Sequence, residues 1–551
     1  MILRCFFVNH PHMKSNHLSL IRAIPVLLGL GLMAVYLATM APGLTWANHG
    51  ADGGDLITAA ATGGIAHPTG YPLYLIFARL FQLLPIGSLA YRTNLFSAVA
   101  MSAASVLIYS LVKRQLDSHR ASNGWLTGII SGSAFGLSPL AWSQAVITEV
   151  YALNAFFVAL VLFISTGKTP EPWHKRQDVI LGLLLGLGLG VHITIIFLVP
   201  AVFLVRLFVL RTYTASTIEE KKHFWKYWQI DVGSVSRIFL GTIIGLTPYL
   251  LIPLWASTHP PVDWGNPTTW QREWWLVSGQ LYQTNLFSLS FADVGNRIRL
   301  WAGLLIGQFG FVGLGIGLVG LMLFLGPSRL MFLSIWEALI FSAFAIDYNT
   351  SDWYVYLIPT LISVSIWIGF GINSVMNLVR VERRWTKRLM AFGLLSYFLF
   401  LPLGHWSQVD ASHDLRAENF GQEVLANAPP NALIFVQGDQ AVFALWYFHL
   451  ALHERPDLVV VATDLLSFDW YQENIRSIYP QLALPEYFPW PIVMELSNPG
   501  RAICSVQYSG QTELQCSTRK KSVSTVTSYK TDLGSGAASE SFLSQNRGIP
   551  R

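Results

Sequence analysis

The chain has 551 residues, of which 52% are hydrophobic, 13% aromatic and only 12% charged. Soluble domains carry about twice that share of charged residues, so the composition excludes an ordinary soluble globule and indicates an integral membrane protein. The formal net charge is +5, but Lys and Arg fall in short clusters between apolar runs, which is typical of topology signals and not of a nucleic-acid surface. The three cysteines are too few for a disulfide framework and lack metal-ligand spacing, so neither redox nor zinc chemistry is indicated.

Eleven apolar runs are predicted as membrane spans. They cover residues 21–40, 92–112, 123–140, 146–166, 179–191, 193–210, 237–256, 299–325, 330–346, 353–377 and 389–404. The first resembles a signal sequence but is interpreted as a retained helix, because Pro42 follows its small-residue end directly. Residues 71–84 are apolar but bounded by prolines, which favours a half-buried or re-entrant helix.

The Lys and Arg clusters fall on alternate loops between these spans, and we assign those loops to the cytoplasm. The opposite loops are poor in Lys and Arg, and they include residues 41–55, 138–148, 257–298 and 347–352. An odd number of spans also puts everything after residue 405 on this outer side. The polar loop residues that could form a site therefore share the outer face.

The sequence changes character after residue 405. Residues 431–436 and 458–462 are predicted as two buried strands, with an amphipathic helix over 440–453 between them. This pattern predicts a small α/β domain. After Cys516 the chain turns to Ser, Thr, Lys and Gly, which is typical of disorder.

One polar stretch, residues 46–72, directly follows the first apolar run. Its carboxylates Asp52 and Asp55 are therefore expected at or just beyond a membrane face, where ionisable groups suggest a function. The Gly pair between them removes side-chain bulk, which would let a ligand approach the backbone. The alternative is that Asp55 caps the helix predicted over 56–61 and that Asp52 is a solvated loop residue.

Motifs in this stretch and beyond it resemble those of a large multi-spanning family of GT-C-like membrane glycosyltransferases, which includes the animal transmembrane protein O-mannosyltransferase. The motifs are Asp52-Gly-Gly-Asp55, His67-Pro-Thr-Gly-Tyr-Pro, Asn94-Leu-Phe-Ser-Ala, the segments 142–154 and 263–270, Gly438-Asp-Gln and Arg455-Pro-Asp. They keep the family's order up to about residue 471. Gly53 stands where the family usually has Ser, and Asp55 where it usually has Glu, which shortens that carboxylate's reach by one methylene.

The resemblance and the residue patterns together predict an all-α polytopic membrane protein of GT-C-like fold with about 11 transmembrane helices. We expect a membrane domain over residues 1–404, a small extracytoplasmic α/β domain over 405–516 and a disordered tail over 517–551.

In the chemistry that the resemblance implies, a carboxylate of the first external loop removes the proton of an acceptor hydroxyl. We assign this catalytic role to Asp52 first and to Asp55 second. The leaving lipid phosphate needs cationic or N–H donors. The candidates for binding donor or acceptor are His67, Tyr71, Arg79, Glu149, Trp264, Asn266 and Arg272.

These candidates have structural alternatives. A histidine before a proline at a turn is often structural, and Glu149 could cap the helix that follows it. Arg92, Arg297 and Arg299 could bind phosphate or could anchor span ends by snorkelling. The Trp-rich segment 257–298 could be an interfacial belt, a sugar-stacking surface or a groove for a polyprenyl chain.

We therefore expect a glycosyltransferase that moves a sugar, mannose in the first instance, from a polyprenyl- or dolichyl-phosphate donor to Ser or Thr hydroxyls of a protein outside the cytoplasm. No metal or other cofactor is expected, because a monophosphate-linked donor leaves less charge to neutralise than a pyrophosphate. The expected partners are the lipid bilayer, the lipid-linked sugar and the protein acceptor, in a bacterial inner membrane or in the endoplasmic reticulum. The alternatives are a glycolipid or cell-wall glycan acceptor, a transporter or flippase, and a non-catalytic scaffold.

Overall fold

The computed structural model describes residues 15–118, 124–167, 173–210, 228–323, 329–378, 384–485 and 490–517. Up to residue 409 the described elements are almost entirely helical. The helices are α1 (Ser15–Thr39), α2 (Gly53–Thr62), α3 (Pro72–Gln82), α4 (Leu89–Ser118), α5 (Gly124–Gly136), α6 (Pro139–Ala145), α7 (Tyr151–Ser165), α8 (Trp173–Leu189), α9 (Val199–Leu207), α10 (Val232–Gly245), α11 (Leu251–Ala256), α12 (Trp270–Val277), α13 (Phe291–Leu323), α14 (Arg329–Asp347), α15 (Ile358–Leu378), α16 (Arg384–Phe400) and α17 (Trp406–Val409). A short antiparallel pair, β1 (Phe208–Leu210) and β2 (Trp228–Ile230), lies between α9 and α10.

Each predicted span overlaps one of these helices or two consecutive shorter helices, as α10 and α11 do within residues 237–256. Within the described part of the chain, six helical segments are long and apolar enough to cross a membrane. They are Arg22–Thr39, Leu89–Ser118, Val232–Ala256, Phe291–Leu323, Arg329–Asp347 and Trp353–Leu378, and two shorter apolar segments cover Tyr151–Ser165 and Ile193–Leu207. The predicted polytopic helical architecture is therefore confirmed, whereas the count of eleven crossings stays a prediction.

Glycines bring several of these helices into backbone contact. A methyl group added at Gly182 of α8 would lie 2.8 Å from the Ile238 carbonyl carbon of α10, and one at Gly371 of α15 would lie 2.8 Å from the Ile316 carbonyl carbon of α13. Small residues at such positions let helices pack closely where no side chain fits. The Gly-rich runs near 182–190 and 310–320 thus serve helix packing.

The C-terminal region forms a small α/β domain. Its elements are α18 (Arg416–Asn427), β3 (Leu433–Val436), α19 (Asp439–Trp446), β4 (Val459–Ala462), α20 (Asp469–Ile478), α21 (Trp490–Ser497), β5 (Ile503–Tyr508) and β6 (Thr512–Ser517). The sheet order is β4-β3-β5-β6, with β3 parallel to β4 and β5, and β6 antiparallel to β5. The two predicted strands are confirmed, because both are wholly buried runs of apolar residues.

The hairpin of β5 and β6 is not predicted from the sequence. Its register places Cys504 opposite Cys516, and the two side chains form a disulfide. The sequence excludes a disulfide framework but leaves open whether Cys504 and Cys516 pair, and the structure joins them by this one cross-strand bond. The tail predicted as disordered lies, from residue 518 onward, outside the described residues.

Candidate functional site

The first polar loop leads into α2, which begins at Gly53 and not after Asp55 as predicted. Asp52 occupies the N-cap position, but its side chain makes no capping hydrogen bond. Asp55 lies inside the first turn of α2 with a fully buried side chain. The alternative in which Asp55 caps the helix and Asp52 is a solvated loop residue does not fit this arrangement.

Asp55 holds the next motif of the sequence in place. Its Oδ2 accepts hydrogen bonds from the His67 backbone N–H at 2.9 Å and from His67 Nδ1 at 2.7 Å. Its Oδ1 accepts from Trp264 Nε1 at 3.0 Å. A buried carboxylate needs such donors, because an unpaired buried charge is strongly destabilising. Asp55 therefore orients the His67 ring and does not face open space.

His67 joins the two aspartates. With Nδ1 on Asp55, its Nε2 lies 3.6 Å from Asp52 Oδ2 and 3.2 Å from the Tyr71 hydroxyl. Burial lowers the pKa of His67, but the negative charges of Asp52, Asp55 and Asp439 outweigh burial and raise the pKa to about 9. The ring is therefore an imidazolium at neutral pH.

Asp52 is the carboxylate of this group that faces open space, with 37% of its side chain exposed. The surrounding protein still removes much of the water around Asp52, and this burial is the largest effect on its pKa, which it raises. The His67 charge lowers the pKa, and the charges of Asp439, Asp352 and Asp55 raise it. The resulting pKa is about 6. A carboxylate with a pKa near neutrality is ionised at pH 7 and is also a better base than an ordinary aspartate.

Asp52, His67 and Tyr71 line a cavity of about 530 Å³. Its wall is built from parts of the chain that are far apart in sequence. The other polar or aromatic lining residues include His49, Tyr151, His192, Tyr282, Asn285, Tyr348, Asp352, Tyr356, Asp439 and Gln440. Ile193, Ile196, Phe197, Leu286 and Phe344 make one part of the wall apolar. The cavity thus has a polar centre next to an apolar wall that a hydrocarbon chain could contact.

The remaining predicted site residues lie outside this lining. Arg79 Nη1 donates to the Ala61 carbonyl at 2.7 Å. The Arg272 guanidinium makes two hydrogen bonds to the Glu473 carboxylate, at 2.7 and 2.9 Å. Asn266 donates to the same carboxylate at 2.7 Å. The structure therefore does not bring Arg79, Arg272 and Asn266 to the cavity, since each has a partner elsewhere.

Glu149 and Trp264 are buried next to the site without lining the cavity. Trp264 supports Asp55 and packs edge-on against Phe443 and Trp446 of α19. It is therefore a packing residue and not an exposed surface for sugar stacking. Of the other tryptophans of its segment, Trp270 and Trp274 stack on each other and are 68% and 57% exposed, as an interfacial belt requires.

The α/β domain closes one side of the cavity. Asp439 and Gln440, at the start of α19, lie just beyond the carboxyl end of β3, where αβ folds place functional groups. Helix α19 packs so closely on α2 that a methyl group at Gly54 would lie 2.5 Å from the Phe443 carbonyl carbon. The missing side chain at Gly54 thus makes room for the backbone of α19. The prediction that the Gly pair lets a ligand approach is wrong at Gly54.

Sequence reasoning did not select His192, Tyr282, Tyr348 or Tyr356 as site residues. His192 carried a signal, because it is a polar residue that interrupts the apolar run 179–210. The tyrosines carried none, since tyrosines are common at membrane interfaces for reasons unrelated to a site. Only the tertiary structure brings them together, because His192, Tyr282 and Tyr348 lie just after α8, α12 and α14 and Tyr356 lies just before α15.

The architecture defines the class of protein: a polytopic membrane protein of GT-C-like fold, with its candidate site under the first polar loop and next to a C-terminal α/β domain. Residues 52–216 match the model of the protein O-mannosyl-transferase TMEM260 N-terminal domain, and residues 417–491 match TMEM260-associated domain 2. The predicted resemblance to this family is confirmed.

Similar proteins of this family come from distant organisms. The chain is 25% identical to protein O-mannosyl-transferase tmem260 of Dictyostelium discoideum over 531 residues, covering 88% of this chain and 61% of the relative. It is 24% identical to TMEM260 of Mus musculus over 477 residues, covering 79% and 62%. The chain thus spans about three fifths of the length of these relatives.

The fold also resembles that of solved structures. ArnT from Cupriavidus metallidurans bound to undecaprenyl phosphate superposes with a TM-score of 0.55 at 12% identity, covering 90% of this chain and 93% of ArnT. The apo state of the same protein gives 0.53 at 12% identity, covering 88% and 92%. At this identity the likeness concerns the fold alone.

Proposed function

We propose that the protein is a membrane glycosyltransferase that transfers a sugar, mannose in the first instance, from a polyprenyl-phosphate donor to a Ser or Thr hydroxyl of a protein. Asp52 is the general base. The observation that carries the proposal is the Asp52 carboxylate, 37% exposed in a cavity of about 530 Å³, where partial burial raises its pKa to about 6. A base is most effective when its pKa lies close to the working pH.

The proposed step conserves atoms and charge. The acceptor hydroxyl attacks the anomeric carbon while Asp52 takes its proton, and the bond between the anomeric carbon and the phosphate oxygen breaks. A glycoside, a protonated Asp52 and a lipid phosphate with one more negative charge result. Water must be kept out during this step, since it would compete with the acceptor.

The apolar part of the wall suits a lipid-linked donor. Ile193 is 37% exposed and Ile196 is 46% exposed, and both line the cavity that holds Asp52. They begin the apolar segment Ile193–Leu207. A polyprenyl chain lying along this segment would bring its phosphate to the polar centre, because only the head group would need polar partners. The ArnT structure bound to undecaprenyl phosphate shares this fold.

Two further observations support a protein hydroxyl as the acceptor and the extracytoplasmic face of the membrane as the location of the site. The relatives from Dictyostelium discoideum and Mus musculus are named protein O-mannosyl-transferases, which favours a protein hydroxyl as acceptor. The Cys504–Cys516 disulfide favours an oxidising compartment for the α/β domain, and that domain borders the cavity.

The test is sugar transfer by the purified full chain in lipid nanodiscs, with polyprenyl-phosphate mannose and Ser- or Thr-containing peptides. Asp52→Asn keeps the size of the side chain and loses no capping bond, because Asp52 makes none. We expect transfer to fall by about 10²-fold or more, with the unfolding temperature unchanged. Equal transfer by wild type and Asp52→Asn would remove Asp52 as the base. If the wild-type protein transfers sugar to a glycolipid but to no peptide, the proposed protein acceptor is wrong and a glycolipid takes its place.

A further inference from the structure

The cavity has a candidate base, but its lining offers few candidates to stabilise a leaving phosphate. None of the described residues that line it is an arginine or a lysine. Four of the arginines that could have served have other partners in the structure. Arg92 donates to the carbonyls of Gln82, Ile86 and Gly87, and Arg297 lies over the Trp353 ring at 4.7 Å. Arg79 and Arg272 bond to Ala61 and Glu473.

His67 is the lining residue whose surroundings favour a positive charge. Asp55 accepts from Nδ1, which leaves Nε2 directed towards Asp52 and Tyr71. The Tyr71 hydroxyl donates its one hydrogen to the Pro68 carbonyl at 3.1 Å. Its oxygen is then the acceptor in the 3.2 Å contact with Nε2, which requires a proton on that nitrogen as well.

The ionisable groups around His67 come from four parts of the chain. Asp52 and Asp55 come from the start of α2, Tyr71 precedes α3, and Asp439 comes from α19. His192 lines the same cavity with its ring 6.1 Å from that of Tyr71. The Phe443 ring lies parallel to the His67 ring at 6.4 Å, Trp264 makes a T-shaped contact with it at 6.2 Å, and His67 is only 7% exposed.

We propose that His67, held by the positioning residue Asp55, is the cationic group that binds the donor phosphate and stabilises the charge developing on it as it leaves. This inference rests on the proposed function. Before the reaction the imidazolium faces the ionised Asp52. When Asp52 takes the acceptor proton, its negative charge is neutralised, and one negative charge is gained by the phosphate. The imidazolium keeps its proton and its charge, and only its anionic partner changes. Asp55 holds Nδ1–H in place throughout.

The decisive measurement is direct binding of undecaprenyl phosphate, the product-like ligand, to the full chain in nanodiscs between pH 7.5 and 10. Over this range the lipid phosphate keeps a constant charge, because its second pKa is about 6. We expect wild-type binding to weaken at least 10-fold as pH rises through about 9, where His67 loses its proton. His67→Gln should bind about 10-fold to 100-fold more weakly at pH 7.5, which corresponds to a charge-assisted hydrogen bond, and its binding should not change with pH.

Asp55 provides the second variant. Asp55→Asn should move the pH midpoint of binding downward, because the charge that stabilises the imidazolium is lost. Asp55→Glu, which restores a carboxylate, should return the midpoint towards the wild-type value. Arg272→Gln is the matched control and should leave binding and its pH dependence unchanged, since Arg272 lies outside the cavity.

Undiminished binding by His67→Gln with the wild-type pH dependence would overturn the proposal. If His67→Gln does not fold, an unchanged midpoint in Asp55→Asn overturns it equally. Binding is measured without any transfer, so this result is independent of the Asp52→Asn assay. If Asp52→Asn loses transfer but lipid binding does not depend on pH, only the role of His67 is rejected. If lipid binding depends on pH but Asp52→Asn transfers sugar as well as wild type, only the role of Asp52 as the base is rejected.

Discussion

Gly54 offers a test of whether the α/β domain must dock on α2 for the site to form. Gly53 and Gly54 are both buried in the first turn of α2, yet their surroundings differ. A methyl group at Gly54 would lie 2.5 Å from the carbonyl carbon of Phe443 and 3.0 Å from its Cβ. A methyl group at Gly53 would be 3.5 Å from Thr148, which is an ordinary van der Waals contact.

The expected magnitude follows from these distances. Ordinary contact begins at about 3.4 Å, so Gly54→Ala must separate α2 and α19 by roughly 1 Å, against a backbone atom that cannot turn aside. Overpacking of this kind costs about 1–3 kcal/mol. Both alanine variants gain up to about 1 kcal/mol of helix propensity, so we expect Gly54→Ala to be less stable than Gly53→Ala by about 1–3 kcal/mol. Gly53→Ser should also be tolerated, because its Cβ would occupy the same space.

The assay is thermal unfolding of the purified full chain, together with hydrogen exchange in residues 439–446 and sugar transfer. Phe443 stacks on His67, so Gly54→Ala should increase exchange in α19 and reduce transfer, while Gly53→Ala should do neither. Equal stability and equal transfer in the two alanine variants would refute the reasoning, because the close contact of α2 with α19 would then carry no cost.

Three further predictions concern titration, sugar binding and topology. Transfer should fall as pH drops through about 6, where Asp52 takes up a proton, and again as pH rises through about 9, where His67 loses one; a flat rate between pH 5 and 10 would contradict both assignments. Asp439→Asn should raise KM for the donor or the peptide more than it lowers kcat, because this carboxylate lines the cavity but takes no proton in the proposed step; an unchanged KM for both would place Asp439 outside substrate contact. In a Cys5→Ser background, Glu423→Cys should react with an impermeant thiol reagent in intact cells and Lys175→Cys should not; reversed labelling would end the extracytoplasmic assignment.

The sequence by itself determined the class of protein and indicated the loop that borders the candidate site. Low charge and long continuous apolar runs indicate a helical membrane protein, because only helices or closed barrels satisfy the backbone within lipid and the strands of a barrel alternate apolar and polar residues. The polar loop 46–72 stands out against that background, and its motifs led to Asp52 and His67. The wholly apolar β3 and β4 were also predictable, since buried parallel strands form continuous apolar runs.

Only the tertiary structure decided which polar groups serve the site. Asp55 and Asp52 are three residues apart, yet one is buried against His67 and Trp264 and the other faces the cavity. The reason is that Asp55 lies within the first turn of α2, whereas Asp52 is the N-cap residue that precedes the helix. Arg272 reaches Glu473, a partner 201 residues away, that no local pattern reveals. The edge hairpin of β5 and β6 escaped prediction because its outer strand is largely exposed and carries no apolar run. Sequence patterns report burial and local geometry, whereas partners that lie far apart along the chain depend on how the helices pack.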